Sequence, residues 1–180
     1  MVIIVTGEIG IGKTTVCDKA LKMLRSAGYA CGGILTHKAM DGSLTVLDIQ
    51  TGEERTLAST NDTYHGPHTG KYFFSVEGIE FGVRAIERGI TSDILFVDEI
   101  GYLELCGDGF AGSLELIKTQ KARNSILVIR KQLLRAFLAR LGDSPLILET
   151  TIGTRDELPH KICLSLTANL AAISSNQETY

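Results

Sequence analysis

Apolar positions along the chain follow two alternating rhythms. The first is the short unbroken run. Val2–Val5, Ile94–Val97 and Ile126–Ile129 are uninterrupted by polar residues and rich in β-branched side chains, the mark of strands buried on both faces. The second is the helical period. Val16, Ala20, Leu21 and Leu24 recur at that spacing, as do Ile79, Val83, Ile86 and Ile90. Phe110, Leu114 and Ile117 predict a helix over about 110–121, and Leu133, Leu134, Phe137, Leu138 and Leu141 predict another. Ile162, Leu166, Leu170 and Ile173 mark a closing helix, with Asp156 as its expected N-cap and Pro159 in its first turn. The first helix is expected over 13–27, with Gly28 as its stop. Gly82 lowers the propensity of the second by about 1 kcal/mol. Further strands are expected at 31–36, 71–76 and 146–148, and residues 174–180 are polar and expected to fray.

Between 38 and 58 the rhythm changes. Asp41-Gly42 lies between alternating segments, a strong hairpin signal. Leu44–Ile49 alternates, and Thr51-Gly52 turns the chain again before Arg55–Leu57. This predicts an antiparallel meander inserted at about 38–58 into an otherwise β/α chain. Residues 59–70 have almost nothing to bury and read as a surface loop. His65 and His68 in that loop flank Gly66-Pro67 and read as solvated side chains, not metal ligands. Together the elements predict a single α/β domain over 1–180. It is a three-layer α/β/α fold with a mainly parallel sheet and right-handed crossovers. Ligands of such sheets sit beyond the carboxyl ends of the strands. Gly7–Thr15, Asp98-Glu99, Arg130 and Thr151–Arg155 all follow predicted strands at that rim.

Composition narrows the class. The 180 residues are 44% hydrophobic and 22% charged, a globular balance that excludes disorder. A formal net charge of −3 argues against nonspecific nucleic-acid binding driven by overall charge. No apolar run approaches the ~20 residues of a membrane span, and the four-residue apolar start does not read as a signal peptide. Cys17, Cys31, Cys106 and Cys163 form no C-x-x-C pair and read as small reduced core residues. A cytoplasmic location is the expectation that follows.

The chemistry begins at Gly7-Glu8-Ile9-Gly10-Ile11-Gly12-Lys13-Thr14-Thr15. This stretch fits G-x-x-x-x-G-K-[ST] and joins a strand to a helix, as a P-loop must. Its glycines let the backbone turn tightly and approach phosphate oxygens. Its amides form an anion nest at a helix N-terminus. Lys13 reaches the β- and γ-phosphates, and the Thr14 hydroxyl ligates magnesium. The second landmark is an apolar strand ending in Asp98-Glu99. Asp98 suits the magnesium shell, and Glu99 is placed to orient and deprotonate an attacking water. A kinase, whose nucleophile is a substrate oxygen, does not need that second carboxylate. Arg130 is the first candidate to neutralise the γ-phosphate in the transition state, ahead of Arg135, Arg140 and Arg155. Arg135 lies opposite its helix's apolar face, the place of a solvated side chain. Arg155 follows the last strand, where a base or ribose would rest.

Three stretches, Gly7–Thr15, Asp98-Glu-Ile-Gly-Tyr-Leu-Glu-Leu105 and Arg155-Asp-Glu-Leu-Pro159, resemble the landmarks of the small nucleoside-triphosphatase family often called the THEP or cancer-related NTPase family. Gly32–Thr36, the meander through Asp48 and Ala58, and Gly70–Tyr72 are similar to it as well, so the resemblance covers nearly the whole chain. It implies a RecA/AAA-like fold and slow magnesium-dependent hydrolysis of ATP, GTP and other triphosphates. Gly12, Lys13 and Thr14 would serve phosphate and metal, with Asp98 and Glu99 as the acidic pair. The chain departs from the family at Glu8, where proline is common, at Tyr102, where lysine is frequent, and at Thr154, where asparagine is favoured. Glu8 is expected to face solvent, and Glu104 to brace its loop rather than act in catalysis. The runner-up function is a nucleotide or nucleoside kinase, with Arg130, Lys131 and Arg135 closing as a lid. A third is a nucleotide-dependent switch that presents the meander and the 59–70 loop to an unidentified protein partner.

Overall fold

The unbroken apolar runs of the sequence become the centre of a nine-stranded sheet in the computed structural model, which describes residues 1–61, 63–119, 122–141 and 144–177. In chain order the elements are β1 (Val2–Gly7), α1 (Lys13–Ser26), β2 (Cys31–Lys38), β3 (Leu44–Asp48), β4 (Glu54–Ser59), β5 (His68–Thr69) and β6 (Tyr72–Phe74). They continue with α2 (Val76–Gly89), β7 (Ile94–Ile100), α3 (Tyr102–Cys106), α4 (Ala111–Lys118), β8 (Ser125–Arg130), α5 (Leu134–Leu141), β9 (Leu146–Glu149) and α6 (Leu158–Gln177). The spatial order is β5-β6-β4-β3-β2-β7-β8-β1-β9. One strand, β8, lies between the P-loop strand and the Asp98 strand.

Two apolar layers cover the sheet. On one face α1 and α6 lay Val16, Leu24 and Ile162 over Val5, Leu35 and Phe96. On the other, α2, α4 and α5 lay Ile86, Ile117 and Phe137 over Ile4, Leu95 and Leu127. Strands covered on both faces need apolar residues at every position, which is why their sequence shows runs rather than alternation. Gly28, at φ +89°, ends α1 as expected. Its amide donates to the Arg25 carbonyl at 3.0 Å, and that of Tyr29 to Leu24 at 3.1 Å.

The predicted α/β architecture is present, with a parallel sheet and an antiparallel meander: β2, β7, β8, β1 and β9 run parallel, whereas β3, β4, β6 and β5 extend the sheet antiparallel. The bounds of several elements differ from those expected. The meander therefore runs on to Phe74, past the predicted end at 58. The 59–70 loop contributes His68 and Thr69 to it as β5, and the exposed His68 ring packs 4.6 Å from that of Phe73. The strand expected at 71–76 stops at Phe74, because the Ser75 hydroxyl accepts from the Gly78 amide at 3.1 Å and caps α2. Gly82 belongs in that helix for a packing reason: a Cβ there would lie 2.5 Å from the Phe110 ring.

Asp98 and Glu99 lie within β7, not beyond it. A register shift between Val97 and Ile100 bulges the strand there, and the Asp98–Glu99 peptide is cis. The helix expected over 110–121 begins at Ala111 and ends at Lys118, and its predicted last two positions lie outside the described residues. Asp156 is not the cap of α6; Glu157 immediately precedes the helix, and Asp156 faces Lys19 at 3.5 Å. Of the expected fraying at 174–180, residues 178–180 lie outside the described residues, while the helix itself runs to Gln177. Cys17 and Cys31 are buried, but Cys163 is half-buried and Cys106 is exposed, so the core reading fails for Cys106. Among the described residues no helix is long and apolar enough to cross a membrane.

Candidate active site

The rim at the carboxyl ends of the parallel strands holds a cavity of about 1070 Å³. One wall is the loop between β1 and α1. Gly7 must be glycine because a Cβ would approach the Thr150 carbonyl oxygen to 2.7 Å. Gly12 takes φ +104°, a conformation that L side chains rarely adopt, and its carbonyl starts α1 by accepting from the Val16 amide at 3.0 Å. The loop thereby turns its chain into a helix N-terminus, where amides favour anions. Glu8 is exposed, as expected, and Ile9 is 71% exposed.

Lys13 is buried, and its ammonium donates to the loop carbonyls of Gly7 at 3.2 Å and Glu8 at 2.9 Å. Gly10, Gly12, Lys13, Thr14 and Thr15 line the cavity, as does Ile9. Gly7, Glu8 and Ile11 shape the loop without lining it.

The facing wall is β7 and β8. Asp98 is fully buried, and no amide or guanidinium donates to its carboxylate oxygens. Burial pushes its carboxyl up to about 7; the facing Thr14 hydroxyl offsets part of the rise, the Glu99 charge adds to it, and Lys13 and His37 oppose it. A desolvated carboxylate faced by a hydroxyl, itself a hard oxygen donor, is poised to take a cation. Thr14 and Asp98 together supply hard oxygen donors, the type magnesium selects. Arg130 Nε donates to Glu99 Oε1, and both side chains line the cavity about a quarter exposed, at 29% and 26%. Arg130 thus meets the acid pair, as its position after a strand implied, but as the direct partner of Glu99.

Other predicted arginines lie elsewhere. Arg135 is exposed. Arg140 braces α3, donating to the Glu104 and Leu105 carbonyls at 3.2 and 2.9 Å. Arg155 is exposed on the loop after β9 and does not line the cavity. In that loop the Thr154 hydroxyl donates to the Glu149 carbonyl at 2.8 Å and accepts from the Thr151 amide at 2.9 Å, which fixes the turn. Glu104 braces its loop as expected. Its buried carboxylate accepts from the amides of Gly101 at 2.7 Å and Phe110 at 2.9 Å, and its carboxyl is raised, by burial first of all.

Sequence reasoning missed two groups at the site. Thr36, at the end of β2, donates its hydroxyl to the Asp98 carbonyl and pins the bulge. His37 Nε2 lies 3.1 Å from Asp18 Oδ2, and both line the cavity. The Asp18 hydrogen bond holds the imidazole above its ordinary range. Asp18 lies one turn beyond Thr14 on α1, a helical spacing that marks it as a rim residue. Nothing local in the sequence marks His37.

Comparison with known proteins agrees with this geometry. A family profile described as NTPase matches residues 2–163. The chain is 38% identical to the nucleoside-triphosphatase THEP1 of Thermococcus kodakarensis over 66% of this chain and 71% of that one. It is 34% identical to the THEP1 of Thermofilum pendens over 93% of this chain and 96% of its relative. The crystal structure of THEP1 from Aquifex aeolicus shares the fold, with a TM-score of 0.77 and 23% identity over 92% of this chain and 99% of that one. A P-loop, an acidic pair facing it and a family match over most of the chain agree: the protein belongs to the THEP1-type nucleoside-triphosphatase family of P-loop NTPases.

Proposed function

We propose that this rim cleaves the β,γ-anhydride of ATP, GTP and other nucleoside triphosphates with magnesium, using Glu99 as the base. The observation that carries the reading is Asp98: a fully buried carboxylate that no amide or guanidinium reaches, faced by the Thr14 hydroxyl and next in sequence to a second carboxylate. A structural aspartate at that depth would be satisfied by several donors. Magnesium, when bound, supplies positive charge to the β- and γ-phosphates.

The residues of the chain do the rest. The loop amides from Gly10 to Thr15 hold the phosphates, and Lys13 exchanges the carbonyls of Gly7 and Glu8 for phosphate oxygens. Thr14 and Asp98 would hold the metal. Glu99 takes the proton of the attacking water as the bond from phosphorus to the leaving diphosphate breaks. Arg130 follows the charge: a γ-phosphate draws the guanidinium from Glu99, which frees the base as the arginine neutralises the transition state. Arg155, outside the cavity on the other flank of the loop, would meet the nucleoside end.

The test is phosphate release from ATP and GTP by Glu99→Gln. Hydrolysis is expected to fall by roughly 10²–10⁴-fold, with triphosphate affinity retained. Unchanged turnover would remove Glu99 from the mechanism.

A further inference from the structure

The cavity, at about 1070 Å³, stands at the upper end of the roughly 300–1,000 Å³ of a small-ligand site, and it reaches beyond the P-loop and the acid pair. Strand order shows in which direction. From β1 to β7, through β8, is two strand spacings, about 10 Å. This is the stretch from P-loop to acid pair. From β7 through β2 and β3 to β4 is three more, about 14 Å. The cavity continues along that second stretch, where the lining changes character. Leu44, Leu57, Phe74, Ile79, Leu103 and Phe110 form its wall. The Tyr72 ring borders it, with the Lys71 ammonium 5.4 Å from that ring's centre.

We propose that this apolar chamber is a second small-molecule site, for a neutral, ring-bearing molecule of about nucleoside size whose polar end faces the Glu99–Arg130 pair. The proposal rests on the reading of Asp98, Glu99 and Arg130 as the γ-phosphate end. With that end fixed, the nucleoside of the triphosphate leaves on the opposite flank, toward β9, and no part of it enters the chamber. The six wall residues carry no charge, so the buried part of the occupant is uncharged as well. Aromatic and aliphatic walls suit a flat ring. Glu99 and Arg130 meet the cavity at the mouth of the chamber, and Lys38, Thr69, Lys71 and Glu104 add polar groups to the lining around the six apolar residues. The β5–β6 hairpin, which brings Gly70, Lys71 and Tyr72 to the cavity, is the part of the meander that closes the chamber on its outer side.

Indole and adenosine are suitable probes, measured by saturation-transfer NMR on protein loaded with magnesium and a non-hydrolysable β,γ-imido analogue of ATP. Loading occupies the triphosphate site, so a nucleoside probe reports on the chamber. Both probes are expected to bind with Kd of about 1 mM or tighter. Ile79→Trp, which fills the chamber from α2, should weaken both by at least about tenfold. Leu44→Trp, from the β3 wall, should do the same and guards against a folding defect in the first variant. Analogue affinity and circular dichroism should stay at wild-type values in both. Probe binding that is absent in the wild type, or equal in wild type and filled variants, overturns the chamber. Failure of the analogue itself to bind overturns the P-loop reading instead.

Discussion

Two aspartates, one in each half of the sheet, are both fully buried and are treated in opposite ways. Asp48, at the end of antiparallel β3, accepts from the Gln50 amide at 2.9 Å, the Thr51 hydroxyl at 2.9 Å and the Arg88 guanidinium at 2.7 Å. Burial alone would raise its carboxyl, but those donors outweigh burial and hold it below the usual range. Asp98, in parallel β7, has no amide or guanidinium donor, and the Thr14 hydroxyl only partly offsets burial, which raises it. Among the described residues, the buried side-chain atoms without a hydrogen bond belong to Thr6, Asp98, Ser125 and Thr150, all in or beside the parallel strands. The antiparallel extension holds its buried aspartate with donors. The parallel half leaves one at its rim in want of them, at the place proposed above for the metal and the triphosphate.

The contrast can be broken most sharply at Asp98. Asp98→Asn removes the charge proposed to hold the metal and should lower hydrolysis by about 10²-fold or more, read as phosphate release at saturating magnesium. Activity within a fewfold of wild type would make Asp98 a second structural aspartate. The next effect tests the extension. Gly78 lets α2 approach β4 so closely that a Cβ would lie 2.2 Å from the Thr56 carbonyl oxygen. Gly78→Ala should cost about 1–3 kcal/mol of stability in urea unfolding, with little change in turnover per folded molecule. A neutral result would mean that the extension is not packed as tightly as its glycines indicate.

The smallest effect is the pH dependence, and its sign differs between the halves. The folded Asp98 carboxyl is raised, so its contribution is fully present below the ordinary carboxyl value of about 4. That contribution is lost as pH climbs through about 7. The folded Asp48 carboxyl is lowered, so its contribution is present above about 4 and is lost as pH falls through the lowered value. Urea midpoints in chelator, for wild type against Asp98→Asn and Asp48→Asn, should therefore diverge at opposite ends of the pH range. Parallel curves would refute the contrast.

What the sequence revealed follows the same division. β1, the P-loop, β7 and its acid pair, and β8 with Arg130 were legible because each signal is local: a run, a spacing, or a residue at a strand end. The start of α2 was legible in principle, since Ser75 followed by Glu77 marks an N-cap, but apolar Val76 continued the preceding strand pattern and masked it. α3 was not legible. Its five residues are held by Glu104, whose carboxylate bridges two amides brought together by tertiary structure. The His37–Asp18 contact and the Glu99–Arg130 pair join separate elements, and no window of sequence contains either. The chamber is hidden for the same reason: its wall comes from β3, β4, β6, α2, α3 and Phe110.

The edges of the sheet carry a consequence for the protein in a crowded solution. The outermost strands, β5 and β9, are two and four residues long, against six to eight in β1, β2, β7 and β8. An open strand is a template on which a foreign chain can add, and a short one is a poor template. At β9 the Lys131–Glu149 ion pair, at 2.6 Å, adds charge to the last residue of the strand. A sheet with such ends resists end-to-end addition of strands, so the apolar runs of β1, β7 and β8 are protected from the aggregation they would invite at an edge.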